Sequence, residues 1–219
     1  EEILETERIE AGYNKSGLLM VCQTPQTLHH EEEMVKIAES YGLEASTLTR
    51  EETEKLDPNV QYNMAGSVFF GCDSWMTPNV FMAKFRELLI ERGVDIQYHS
   101  TLTDFKIENS KVKAAKTKVA ELIADEFIIT AGAWSPLLMK RLGIFMPLQG
   151  GKGYSFMMEN LPINPKLPSI LVEARIATTP MLHGLRIAGT MELAGINHTI
   201  NQPRIDGIIE SLKVAMPSL

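Results

Sequence analysis

The run Ala131-Gly132-Ala133-Trp134-Ser135-Pro136 carries the first chemical signal in the sequence. Three residues with almost no side chain stand where an apolar stretch, Phe127 to Thr130, gives way to a helical pattern that ends at Gly143. Such a turn lets something bulky approach the backbone. A small-residue turn opening a helix at the carboxyl end of a strand is also where free N–H groups and the helix dipole attract nucleotide phosphate. Close packing of helix on strand makes the same demand on residue size. No GxGxxG phosphate loop occurs anywhere in the 219 residues. Gly150-Gly151-Lys152-Gly153 lacks the glycine spacing and the Ser/Thr of a nucleoside-triphosphate loop, so Lys152 reads as a solvated turn residue.

Other reactive side chains are scattered. His29 and His30 precede three glutamates, but neighbours on a helix point about 100° apart, so a solvated helix start is expected and no metal site. Cys22 and Cys72 form no CxxC pair and read as two half-buried thiols in a reducing compartment. Tyr154 either faces a ligand or is a buried tyrosine satisfied by the backbone. Arg175 and Arg186 fall in predicted strands, where each serves a carboxylate ligand or a strand-face ion pair. Ser135 reads as the N-cap of the helix through Pro136. No residue is assigned as a catalytic acid, base or nucleophile.

The elements that must position these groups alternate between helix and strand. With 44% hydrophobic and 22% charged residues the chain can bury a sizeable core. Its net charge of -7, with no basic stripe, argues against nucleic acid. No run of 18 apolar residues and no signal peptide is present, which predicts a cytoplasmic protein with peripheral membrane contact left open. Predicted strands cover Ser16 to Thr24, Ala65 to Cys72, "VDIQYH" from Val94, a hairpin turning at Asn109-Ser110, and "ADEFIITAGAW" from Ala124. Three more follow from Lys152, Ser169 and Gly184, with a turn at His183-Gly184. Helices are predicted after Thr24, after Thr49 as part of a capping pattern, from Pro78 to Gly93, and from Ile200 to Met216.

Four stretches in this order, "GVDIQYHSTLTDF", "DEFIITAGAWSPLLMKRLG", "MPLQGGKGYSFMM" and "GLRIAGTMELAG", resemble the D-amino acid oxidase superfamily of flavoproteins. Its D-amino acid dehydrogenase and glycine or sarcosine oxidase branches are the most similar. The resemblance implies an FAD cofactor beside Leu102, Ala131, Gly132 and Ala133. It also implies a small amine or D-amino acid substrate near Tyr154 and Arg186, oxidised by hydride transfer to the flavin. The electron acceptor, whether oxygen, a quinone or a carrier, stays open, as does the oligomeric state. The family's opening GxGxxG and its closing arginine segment have no counterpart here, so the chain is expected to be an internal fragment, inactive and without FAD by itself.

The expected fold is α+β: a mixed, largely antiparallel sheet with helices on one face, plus a remnant of an FAD-binding α/β fold. Residues 1–76 and 146–219 are expected to form a substrate-binding domain and 77–145 a partial FAD-binding domain. A different class of function, a non-catalytic module binding an amino acid or a protein partner, fits the same pattern.

Overall fold

A computed structural model describes residues 1–162 and 164–219. They divide into two compact units, one of Glu1–Leu89, Gly153–Met191 and Ile200–Leu219, the other of Ile90–Lys152 and Glu192–Thr199.

The first unit opens with the short helix α1 (Glu2–Thr6) and is built on a seven-stranded sheet. Its strands are β1 (Leu18–Cys22), β2 (Ala45–Leu48), β3 (Gly66–Phe70), and, later in the chain, β7 (Lys152–Met158), β8 (Ser169–Leu171), β9 (Ile176–Met181) and β10 (Gly184–Glu192). They lie in the order β2-β3-β1-β8-β9-β10-β7. The β2·β3, β1·β3, β8·β9 and β9·β10 pairs are antiparallel and β1·β8 is parallel, so the sheet is mixed and mostly antiparallel, as expected. The turn between β9 and β10 is Leu182-His183, one residue earlier than the sequence suggested, because Gly184 already pairs with Met181.

Helices cover both faces of this sheet, where a single layer was expected. β1 and β3 bury consecutive residues, so both of their sides need cover. On one side lies α2 (Pro25–Ser40), whose Leu28 side chain stands over Gly66. On the other, Thr53 of α3 (Arg50–Leu56) shares a 2.7 Å hydrogen bond with Ser67. There Leu19, Val21, Leu171, Ile176, Leu185 and Ile187 form the main core with Ile208 and Leu212 of α6 (Gln202–Ala215). The helix starts are local and legible. Thr24 accepts from the Thr27 N–H, and Thr49 and Glu52 complete a capping box.

The second unit holds an antiparallel meander of β4 (Leu102–Glu108), β5 (Lys111–Thr117) and β6 (Glu121–Ile123), followed by α5 (Ser135–Arg141). Asn109 and Ser110 form the expected tight turn, with φ of +52° and +60°. Two predicted strands are corrected. Val94 to Gln97 and Asp125 to Thr130 form no ladder, and Ile128 is 86% exposed. Both have strand-like composition, but a strand exists only through a paired neighbour, and none of the described strands takes that place. The chain then turns through a 3₁₀ segment, Gly132–Trp134, into α5, whose N-cap is Trp134 with no side-chain bond, so Ser135 is not a cap. No helix among the described residues is long and apolar enough to cross a membrane.

Candidate active site

Strand alternation gives the large sheet two chemically different faces. Ile176, Leu185 and Ile187 point into the core with α6. Ala177, which pairs with both Ile170 and Ala188, points the other way, as does Arg186, which pairs with Thr179. On that side the sheet forms an open hollow of about 500 Å3. Its floor is small and apolar, with Ala177, Ala188 and Ile170, and its only charged lining groups are Arg175 and Arg186.

Neither guanidinium takes part in a hydrogen bond or ion pair among the described residues. Arg186 is half-buried on β10. Arg175 is exposed and lies in the turn before β9 with φ +53°, so it is not the strand residue that the sequence suggested. The acid closest to it in sequence is committed elsewhere. Glu173 accepts from the Gln23 N–H at 3.0 Å and the Thr24 N–H at 3.1 Å, capping α2. Arg186 also borders a second hollow, of about 420 Å3, together with Glu159 and His183, and forms no ion pair there. A cation held unpaired in a hollow without carboxylates is suited to bind an anion through paired N–H bonds.

Tyr154 borders the first hollow but belongs to the α6 core, and its hydroxyl accepts the Asn201 N–H at 3.3 Å. The structure therefore gives its hydroxyl a backbone partner at the start of α6, whereas Arg186 stands on the opposite face.

The second unit has its own hollow, of about 360 Å3, lined by Ala133, Trp134, Gly150, Gly151, Lys152 and residues 195–198. Small residues make it. A Cβ on Gly150 would stand 2.8 Å from that of Ala133, so only glycine fits there. Gly132 has φ +51° and open space where a side chain would project. Ala131 immediately precedes it, whereas Leu102 sits at the start of β4, paired with Thr117, and does not line the hollow.

Lys152 is corrected from a solvated turn residue to the centre of a polar cluster. Its ammonium lies 2.5 Å from Glu192 and donates to Asn197 Oδ1 and the Thr199 carbonyl, each at 2.6 Å. The side chains of Lys152 and Glu192 are only 23% and 12% exposed. Nothing local in the sequence announces this, because the partners lie far along the chain.

Other reactive groups fall away. His29 and His30 are exposed and face Glu32 and Glu33 along α2, and no metal-binding cluster occurs among the described residues. Cys72 is exposed, while Cys22 is buried, and burial with help from Glu173, Glu31 and Glu32 pushes its thiol up to about 12. That thiol is not a nucleophile at neutral pH.

The family model described as FAD dependent oxidoreductase matches residues 1–219. A D-amino acid dehydrogenase of Granulibacter bethesdensis is 26% identical over 209 residues, covering 92% of this chain and 49% of that protein. The chain thus spans about half the length of the curated relatives it matches. Among solved structures, an L-proline dehydrogenase from P. horikoshii superposes with a TM-score of 0.86 at 17% identity, covering 100% of this chain and 61% of that one. A glycine oxidase from Bacillus cereus does so with a TM-score of 0.83 at 20% identity, covering 99% and 60%. At these identities the structures establish a shared fold.

Proposed function

The chain belongs to the FAD dependent oxidoreductase family, and from that premise we propose that the protein carrying it oxidises a D-amino acid or a related small amino acid. The observation that carries this reading is Arg186, an unpaired half-buried guanidinium in a hollow whose lining has no carboxylate. Arg186 holds the substrate carboxylate by a bidentate pair. Ala177 and Ala188 leave room for the substrate's carbon skeleton above the sheet. Tyr154 acts as a positioning residue, fixing β7 to the start of α6 through its bond with Asn201.

The residues of the second unit fit a nucleotide cofactor in one place. Gly132 has open space where a side chain would stand, and the small residues Ala133, Gly150 and Gly151 line a hollow with Trp134 as an aromatic wall. On this reading Ala131, Gly132 and Ala133 lie against the cofactor and Lys152 holds the 192–199 segment in place. When bound beside Ala131, Gly132 and Ala133, FAD would supply the two-electron sink for oxidation of the substrate. The chain's own residues bind and orient, so no catalytic acid or base is assigned.

The test is anaerobic flavin reduction in the FAD-loaded protein with a panel of D-amino acids, glycine, sarcosine and proline. At least one should reduce the flavin, and Arg186→Met should lower kcat/KM by about tenfold to a hundredfold, the worth of a hydrogen-bonded charge. A flavin that none of these substrates reduces overturns the reading.

A further inference from the structure

We propose that the substrate carries a second carboxylate, and that Arg175 holds it, so that the hollow selects an acidic amino acid. The inference rests on the reading above only in placing the α-carboxylate at Arg186.

Two cations line one hollow of about 500 Å3, and no acid lines it with them. A monocarboxylate would engage Arg186 alone and leave the exposed Arg175 without a partner among the described residues. A dicarboxylate engages both. The register bounds their spacing: Ile176, at the end of the ladder, pairs with Gly189, and Arg175 is the residue before it, about four residues along the strand direction from Arg186. At about 3.4 Å per residue their Cα atoms are roughly 14 Å apart along the strand. Two arginine side chains rooted that far apart on one hollow can each reach a different end of a ligand lying over the strands between them. The residues beneath such a ligand, Ala177 and Ala188, are too small to fill the hollow.

Arg175 is also placed by the fold. Its turn is closed by the Arg175 N–H donating to the Val172 carbonyl at 3.2 Å. The turn is anchored to α2 by Glu173, whose carboxylate is spent on the Gln23 and Thr24 N–H groups. The anchoring that fixes Arg175 therefore also removes the acid that would otherwise neutralise it.

Calorimetric titration of the purified protein with D-glutamate, D-aspartate and D-alanine tests this without any redox step. The acidic ligands should bind about tenfold or more tightly than D-alanine. Arg175→Gln should abolish that preference, and Arg175→Lys should restore part of it, which separates loss of charge from damage to the turn. Equal affinity for D-alanine and D-glutamate, or an acidic preference that persists in Arg175→Gln, overturns the proposal. The oxidoreductase reading fails separately: a loaded flavin that no amino acid reduces, alongside Arg175-dependent binding of D-glutamate, would refute that reading and leave this one standing. A protein that oxidises neutral amino acids in preference to acidic ones would do the reverse.

Discussion

Lys152 and Glu192 face each other at 2.5 Å at the ends of two strands, and the same ammonium reaches Asn197 and the Thr199 carbonyl. One side chain thus holds residues 193–199 through Asn197 and Thr199. Breaking a partly buried pair strands the remaining charge, which costs more than an exposed pair contributes. Lys152→Met should destabilise the protein by about 2 kcal/mol, with the largest rise in amide exchange at residues 193–199. Lys152→Met combined with Glu192→Gln should be milder than the sum of the two, measured by urea denaturation.

Tyr154→Phe removes the acceptor of the Asn201 N–H at the start of α6. The expected cost is about 0.5–1.5 kcal/mol of stability, with near-normal turnover per folded molecule. A melting curve and a kcat/KM measured on the same preparation check it. A fall in kcat/KM at unchanged melting temperature would move the hydroxyl into the substrate site.

Glu173 gives the stability curve an acid limb. Burial disfavours its charged form, but hydrogen bonds from the Gln23 N–H, its own N–H, the Thr27 hydroxyl and the Thr24 N–H outweigh that, and its carboxyl is held below the ordinary 4.5. The folded state therefore binds this proton less readily than the unfolded chain. The contribution is fully present above pH 4.5 and is lost as pH falls through the folded-state value. Glu173→Gln should lower stability at pH 7 and flatten the fall in stability below pH 4.5, read from denaturation midpoints across pH.

Gly132 separates packing from cofactor contact. No neighbouring atom stands within 4 Å of where its Cβ would be, so the first carbon of a side chain meets no protein, and φ +51° adds a strain of about 1–2 kcal/mol for any L-residue. Gly132→Ala and Gly132→Leu should lose similar stability. If FAD lies against the turn, Leu lowers the flavin-to-protein ratio well below Ala. Equal ratios in the two variants would detach the turn from the cofactor.

What the sequence made legible was local. The capping box at Thr49 and Glu52, the Asn109-Ser110 turn and the amphipathic α2, α4 (Pro78–Glu91) and α6 are each specified by residues a few positions apart. The short edge strand β2 escaped notice because Ala45–Leu48 is polar in its centre and needs β3 to exist. Asp125 to Thr130 shows the opposite: its composition is that of a buried strand, but pairing is a property of the neighbours. The same holds at the sites. Tyr154 and Arg186 could be picked out by type, but the unpaired state of Arg186 could not. Lys152 looked like a turn residue because its partners lie 45 and 47 positions away.

The unladdered run from Glu126 to Thr130 has a consequence for the chain's life in solution. Phe127, Ile128 and Ile129 are β-prone in composition, with Ile128 86% exposed, and none of the described strands pairs with them. Such a segment is an open template for a strand from another molecule. Refolding yield of this chain alone should therefore fall as concentration rises.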